Sequence, residues 1–336
     1  MTLKNILLIS ILMIVTISCS TDPLNINTNE INVNTKFVNL DSILVNSDKI
    51  TLIQNHHDLK SKITDIYSYQ LGYCLQIGEI SDTAFSNSIS QFTHDKAIQK
   101  IEKRIYEKFK NLNAYKNNII EGIKHLKFHF PNGKIPENIV FMNSLFQSNA
   151  FCTEKEIGIG LERYLGKNTD VIKELPSEPF YDWIKESMNN EYLERDALCS
   201  WIMTHYINEV EGNLAEDIIK WGKILYLTEA SFPTMEKNII IRYSKQDYDW
   251  ATKNEASFWK YLVDEKLLFK INDLDKSNLL SEAPFTIGLP DKSPDRFGQF
   301  LGWKIVKHYM NIKKISLKEL VKTPYNTILQ EYEIEE

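Results

Sequence analysis

The chain has 336 residues, of which 43% are hydrophobic and 11% aromatic, with 16 Phe, 16 Tyr and 6 Trp. That is the composition of a folded globular protein, and it excludes a disordered one. A formal net charge of −6 argues against a general binder of the phosphate backbone, so nucleic acid is not an expected partner.

The first nineteen residues, MTLKNILLISILMIVTISC, join basic Lys4 to an apolar run from Ile6 to Ile17 that closes on small residues and Cys19. This predicts a lipoprotein signal peptide over residues 1–18, with Cys19 as the lipid-bearing first residue of the mature chain. The run is shorter than the roughly 20 apolar residues of a membrane-spanning helix. Ser20 after the cysteine points to the outer membrane, with the protein facing the periplasm. About 317 residues follow, enough for one large domain or two of about 100 to 200 residues.

Residues 19–35 are rich in Asn and Thr and read as a flexible, lipid-anchored tether, followed by a single domain over 36–330 and an acidic tail over 331–336. Fully extended at about 3.3 to 3.6 Å per residue, such a tether reaches some 50 to 60 Å. Helical spacing of Ile63, Tyr67, Leu71 and Cys74 predicts a helix over 58–75, and Ile98, Ile101, Ile105, Phe109 and Leu112 predict a second, longer one running on to about residue 126. The basic residues on the second helix are interrupted by Glu102 and Glu107, which suits a solvated face better than a membrane-surface one.

Pro131 to Pro136 break the helical pattern, and strand-like runs follow at Ile139–Met142, Ala150–Thr153 and Ile157–Leu161. Beyond Lys167 aromatic-rich helical stripes return. The expected class is therefore α+β, a mostly helical single domain with one small sheet before the midpoint. Ser244 reads as an N-cap, Ser316–Glu319 matches a capping box, and Pro294 reads as the first residue of a helix containing Gly298 and Gly302, whose spacing suits close packing. Cys74, Cys152 and Cys199 form no CxxC pair. They read as buried free thiols, with one disulfide among them as the alternative.

No catalytic signature is complete. His125 and His129 have the spacing of the two imidazoles of HExxH, but Leu126 stands where the general base is needed and the pair precedes the sheet. A zincin-like order of elements would put the metal helix in RDALCSWIMTHYINE, where His205 is the single histidine and neither Cys199 nor Glu209 completes the set. Adjacent His56 and His57, and the acid pairs Glu154/Glu156 and Asp247/Asp249, read as surface groups. No metal and no cofactor other than a covalent lipid on Cys19 are expected.

Several segments agree with one family. IGIGLERYLGKN, WGKILYLTEASFP, YSKQDYDWATKNEASFWKYLVDEKLLF and the APF…SPDRFGQFLGWKIVKHYM stretch resemble, in order, those of the gliding-motility lipoprotein GldB family of the Bacteroidetes. Asp295 stands where the family's SPGR would have glycine. The resemblance implies an envelope lipoprotein needed for gliding and the linked secretion of adhesins, on a zincin-like scaffold that has lost its catalytic residues. Its partners would be the membrane, through the anchor, and protein components of that machinery. A groove left from a peptidase cleft would be lined by Cys199, His205, Glu229 and Arg296. The competing expectation is a zincin-like hydrolase of peptide or cell wall, with a metal set drawn from His205, His308 and carboxylates.

Overall fold

The computed structural model describes residues 23–78, 81–208 and 212–332. The signal segment, Cys19, Glu209 and residues 333–336 of the acidic tail lie outside the described residues. Four short strands form one sheet in the order β1-β2-β4-β3: β1 (Lys36–Asn39), β2 (Asn138–Met142), β3 (Ala150–Cys152) and β4 (Glu156–Gly160). The first, second and fourth run parallel, and β3 pairs antiparallel with β4 on the edge. Every residue of NIVFM and EIGIG is buried, as expected of parallel strands covered on both faces. The three strands expected from sequence are present. β1 is not among them, because KFVN offers only two apolar residues and no period to count.

Alternate residues feed two cores. Ile139, Phe141, Ile157 and Ile159 face the larger one. It is built with α6 (Asn113–His129), α9 (Leu193–His205), α10 (Leu214–Ser231) and α14 (Phe297–Lys313). Val140 and Met142 face the smaller one, against α1 (Leu40–Asn46), α2 (Lys49–Lys62), α3 (Thr64–Tyr69) and α4 (Asp82–His94). The helix expected over 58–75 is thus two helices and a π turn at Gln70–Cys74. Its break is Ile63, whose backbone leaves the helical region (φ −134, ψ 52) while its side chain is fully buried. The next long helix also divides, into α5 (Lys96–Lys108) and α6, where Phe109 and Leu112 both turn inward. On α5, Arg104 donates twice to Asp170 at 2.8 Å, so part of the face expected to be solvated is a docking face for α7 (Asp170–Lys173).

Other local expectations need correction. The His56 ring packs at a tilt against Phe85, centroids 4.0 Å apart, and its Nδ1 meets the Tyr67 hydroxyl at 3.0 Å, whereas His57 is exposed beside Asp82. Glu156 is only 4% exposed and accepts from the Ile66 amide at 3.2 Å. The stretch read as a tether is docked from residue 23 onward. Leu24 is buried, Val33 packs on the core, Thr28 Oγ1 donates to Glu121 at 2.8 Å and Thr35 Oγ1 to the Pro136 carbonyl at 2.7 Å. These partners are distant in sequence, so local composition does not announce them. At the other end, Glu331 pairs with Lys313 and Tyr332 donates to Glu255, both at 2.8 Å. All three described cysteines are free thiols.

The second half also includes α8 (Asp182–Ser187), α11 (Lys237–Ile241), α12 (Lys245–Asp264), α13 (Asp273–Leu280), α15 (Leu317–Lys322) and α16 (Tyr325–Leu329). Ser244 caps α12, and Ser316 and Glu319 form the capping box of α15. At the centre, α10 lies against α14 with glycine on both sides. A Cβ on Gly302 would sit 1.9 Å from the Ile218 carbonyl oxygen, and one on Gly222 would sit 2.1 Å from that of Gly302. The backbones therefore pack without side chains between them. Gly302→Ala is expected to cost about 1 to 3 kcal/mol or more through this overlap with rigid backbone. Gly72→Ala, which meets nothing within 4 Å, should cost far less in the same urea denaturation series.

Asp41, Glu102 and Glu162 meet beside the end of β2. Glu102 accepts from Asn143 Nδ2 at 2.7 Å, and Glu162 accepts from the Ser144 and Phe146 amides at 3.1 and 2.8 Å. Burial pushes all three carboxyls up, Asp41 further through the charge of Glu102, and Glu102 itself to about 6. A folded-state pKa above the unfolded one means a stabilisation that is complete below the ordinary value of 4.5 and lost as pH rises through about 6. Unfolding free energy should fall by about 2 kcal/mol between pH 4.5 and 7 on account of Glu102, and the fall should shrink in Glu102→Gln.

Candidate functional site

The chain contains 39 Lys and Arg residues, and only five of them are arginine: Arg104, Arg163, Arg195, Arg242 and Arg296. The last four converge on one place. Arg195, in the first turn of α9, donates its Nε to the Ile240 carbonyl at 2.7 Å and pairs with Asp196 at 3.1 Å. Asp196 also accepts from the Tyr164 hydroxyl at 2.9 Å. Arg163 follows the end of β4, where Asn149 accepts from its Nε.

The other two arginines are held by unusual backbone. Arg242 ends α11 in the left-handed region (φ 59, ψ 43), and Arg296 precedes α14 in the same region (φ 50, ψ 30). Such conformations are unfavourable for residues with a Cβ and persist only where the surroundings enforce them. Here the enforcement is visible. Arg296 donates Nε to Asp295 at 2.9 Å and NH2 to the Arg242 carbonyl at 3.3 Å. Arg242 donates NH2 to the Ser187 carbonyl at 3.0 Å, and its guanidinium lies 4.9 Å over the Tyr192 ring. Arg296, not Pro294, thus marks the start of α14, because the left-handed turn delays the helix to Phe297.

Glu282 stands in front of these groups. Its side chain is 45% exposed, and its Oε1 lies 3.3 Å from Arg242 NH1 and 3.6 Å from Arg296 NH1. Burial acts to raise its pKa, but Arg296, Arg242, Arg163 and Arg195 together outweigh it and hold the carboxyl below its ordinary range. Four guanidinium groups face three carboxylates, Asp196, Asp295 and Glu282. Arg242, Glu282 and Arg296 line two adjoining depressions. One, of about 190 Å³, is bounded by Trp183, Tyr192 and Tyr243; the other, of about 380 Å³, is bounded by Cys199, Met203 and Trp221.

The structure brings two of the four expected groove residues together, since Cys199 and Arg296 both line the larger depression. His205 lies elsewhere: its Nε2 meets the Thr153 carbonyl at 3.0 Å, its ring packs on Trp201 at 3.9 Å, and burial lowers its pKa. Glu229 is fully buried between α10 and α14, where it accepts from Trp303 Nε1 at 2.8 Å and Lys307 at 2.7 Å and pairs with Lys237 at 2.7 Å. It ties helices together and does not face the cleft. His308 packs on Tyr332. Among the described residues, no group of three or more His, Cys, Asp or Glu side chains is arranged to hold a metal. Arg163, Arg195, Arg242 and Glu282 were not singled out by motif; the available signal was the scarcity of arginine in a lysine-rich chain.

Fold and site together define a mostly helical α+β protein with an arginine-lined cleft at the junction of α9, α11 and the turn before α14. The chain belongs to the gliding motility protein GldB family, whose model matches residues 21–334. No curated protein and no solved structure matches it. Among the described residues, no helix is long and apolar enough to cross a membrane.

Loss of the Glu229 carboxylate strands a buried indole N–H, while the ammonium groups of Lys237 and Lys307, whose side chains are 29% and 36% exposed, turn to water. Glu229→Ala is therefore expected to cost about 2 to 3 kcal/mol, against about 1 kcal/mol for the single hydrogen bond lost in His205→Ala. Equilibrium denaturation of the two variants measures the difference.

Proposed function

We propose that this gliding-motility protein is a noncatalytic, lipid-anchored component of the cell envelope, held through Cys19 at the outer membrane and facing the periplasm. It supports gliding and the associated protein secretion by contact with protein partners, with no cofactor besides its lipid. The observation that carries the contact surface is the gathering of four of five arginines behind one half-exposed carboxylate. Arginine presents a planar fork that matches carboxylates, and charge-assisted pairs of this kind are stronger than neutral hydrogen bonds. Glu282 fills the fork from within the chain, so the cleft suits a partner segment that offers carboxylates of its own.

The same cleft favours the noncatalytic reading. On α9, Arg195, Asp196 and Cys199 have the spacing of the first, second and fifth positions of HExxH, and all three line the larger depression. Arg195 supplies a fixed positive charge and has no lone pair to give a metal. A zincin-like hydrolase would need His205 in a metal set, and His205 is engaged with Thr153 and Trp201.

Removing the internal carboxylate should open the cleft. Glu282→Gln is expected to bind a fluorescent oligoglutamate peptide about tenfold more tightly than wild type at low salt, equivalent to about 1.4 kcal/mol, with binding lost as salt is raised. In cells, a photo-crosslinking residue at Met203 should capture an envelope protein, and the peptide should compete with that capture. Equal peptide affinity in both proteins would contradict the cleft assignment. Normal spreading and adhesin secretion in a deletion strain would contradict the gliding role.

A further inference from the structure

The described chain begins at Pro23, and Pro23 and Leu24 form one wall of a cavity of about 450 Å³ completed by His129, Tyr226, Met310 and Leu317. This cavity lies where α6 and α14 end, at His129 and Lys313. Two large apolar side chains, each next in sequence to a residue that lines it, are left in solvent. Phe128, whose ring meets that of His129 edge-on, is 50% exposed, and Ile312 is 51% exposed. Lys314 and Lys318 are exposed in the turn and helix that follow, and Lys127 is half-buried on the last turn of α6. Exposed apolar side chains with lysines a few residues away are the composition of a surface that rests in a lipid headgroup layer.

Chain length says what covers this end. Four peptide units separate Cys19 from Pro23, and at 3.8 Å or less each they span at most about 15 Å. A lipid on Cys19 therefore holds the cavity mouth close to the bilayer. The docking of residues 23–35 on the body removes the 50 to 60 Å of freedom that the sequence suggested.

We propose that this end of the molecule is a membrane-docking face, with Phe128 and Ile312 entering the headgroup layer and the lysines set against anionic headgroups. The occupant of the face is the lipid surface that carries the protein's own anchor, so the inference rests on lipidation at Cys19. Docking then directs the arginine cleft away from the membrane. Arg296 and Met310 lie at opposite ends of α14, whose 17 residues rise about 25 Å.

The test uses full-length lipidated protein in vesicles of phosphatidylethanolamine and phosphatidylglycerol that contain a headgroup-region spin-labelled lipid. A bimane label is placed at Ile312→Cys or, as control, at Ile271→Cys, both in a Cys152→Ser background. Ile271 is 77% exposed and follows Lys270, whose carbonyl accepts from Leu214. That is the opposite end of α10 from Tyr226, about 18 Å away by helical rise. Quenching is expected to be several-fold stronger at position 312 than at 271. Equal quenching, or stronger quenching at 271, in protein that floats with the vesicles would overturn the docking face and leave the anchor intact. Flotation unchanged by Cys19→Ala, or a lack of flotation by the wild type, would overturn the anchor itself.

Discussion

The close approach of α10 and α14 at Gly222 and Gly302 is the contact on which the rest of the molecule depends. Backbone meets backbone there, so neither helix can slide or rotate without a clash. The indole and lysine donors on α14 then meet Glu229 on α10, and the buried carboxylate locks the register that the glycines allow. With α14 fixed, the turn just before it presents Arg296 to Glu282 and its last turn presents Met310 to the segment at Pro23. One rigid helix thus links the cleft to the end of the chain where an anchor would attach.

The cleft is a case of strain retained beside charge. Two arginines occupy left-handed backbone, each held by carbonyl and carboxylate partners from neighbouring turns. Buried guanidinium groups are costly to desolvate unless paired, and the pairing here is incomplete at the solvent side, where Glu282 is half-exposed. A carboxylate from outside could take the place of Glu282 without leaving a buried charge unpaired, since the freed glutamate can return to water. The cluster at Glu229 differs in that its carboxylate is itself fully buried and only its lysine partners reach solvent.

Much of the architecture was legible because it rests on local pattern. The runs at Ile139–Met142 and Ile157–Leu161 are apolar throughout and bounded by turns, so they read as buried strands, and the caps at Ser244 and Ser316 follow from their own first turns. The helix breaks at Ile63 and Phe109 were hidden because apolar spacing continues through both. The docked segment at 23–35 and buried Glu156 were hidden because their partners are far away in sequence. Of the four residues expected to line a groove, Cys199 and Arg296 line one depression. Glu229 and His205 satisfy structural bonds instead, and Arg242 shows no signal in its own segment because its role arises from a left-handed turn that only tertiary packing enforces.

The central claim is that one helix carries a carboxylate-accepting cleft at one end and a membrane-facing surface at the other. Hydrogen exchange of the lipidated protein tests it directly, measured free in detergent, on vesicles, and on vesicles with an oligoglutamate peptide. The account predicts that vesicles protect amides near 126–130 and 310–318, and that the peptide then adds protection near 240–243 and 280–297. Protection of one and the same region by both ligands, or protection of the cleft by vesicles alone, would contradict it.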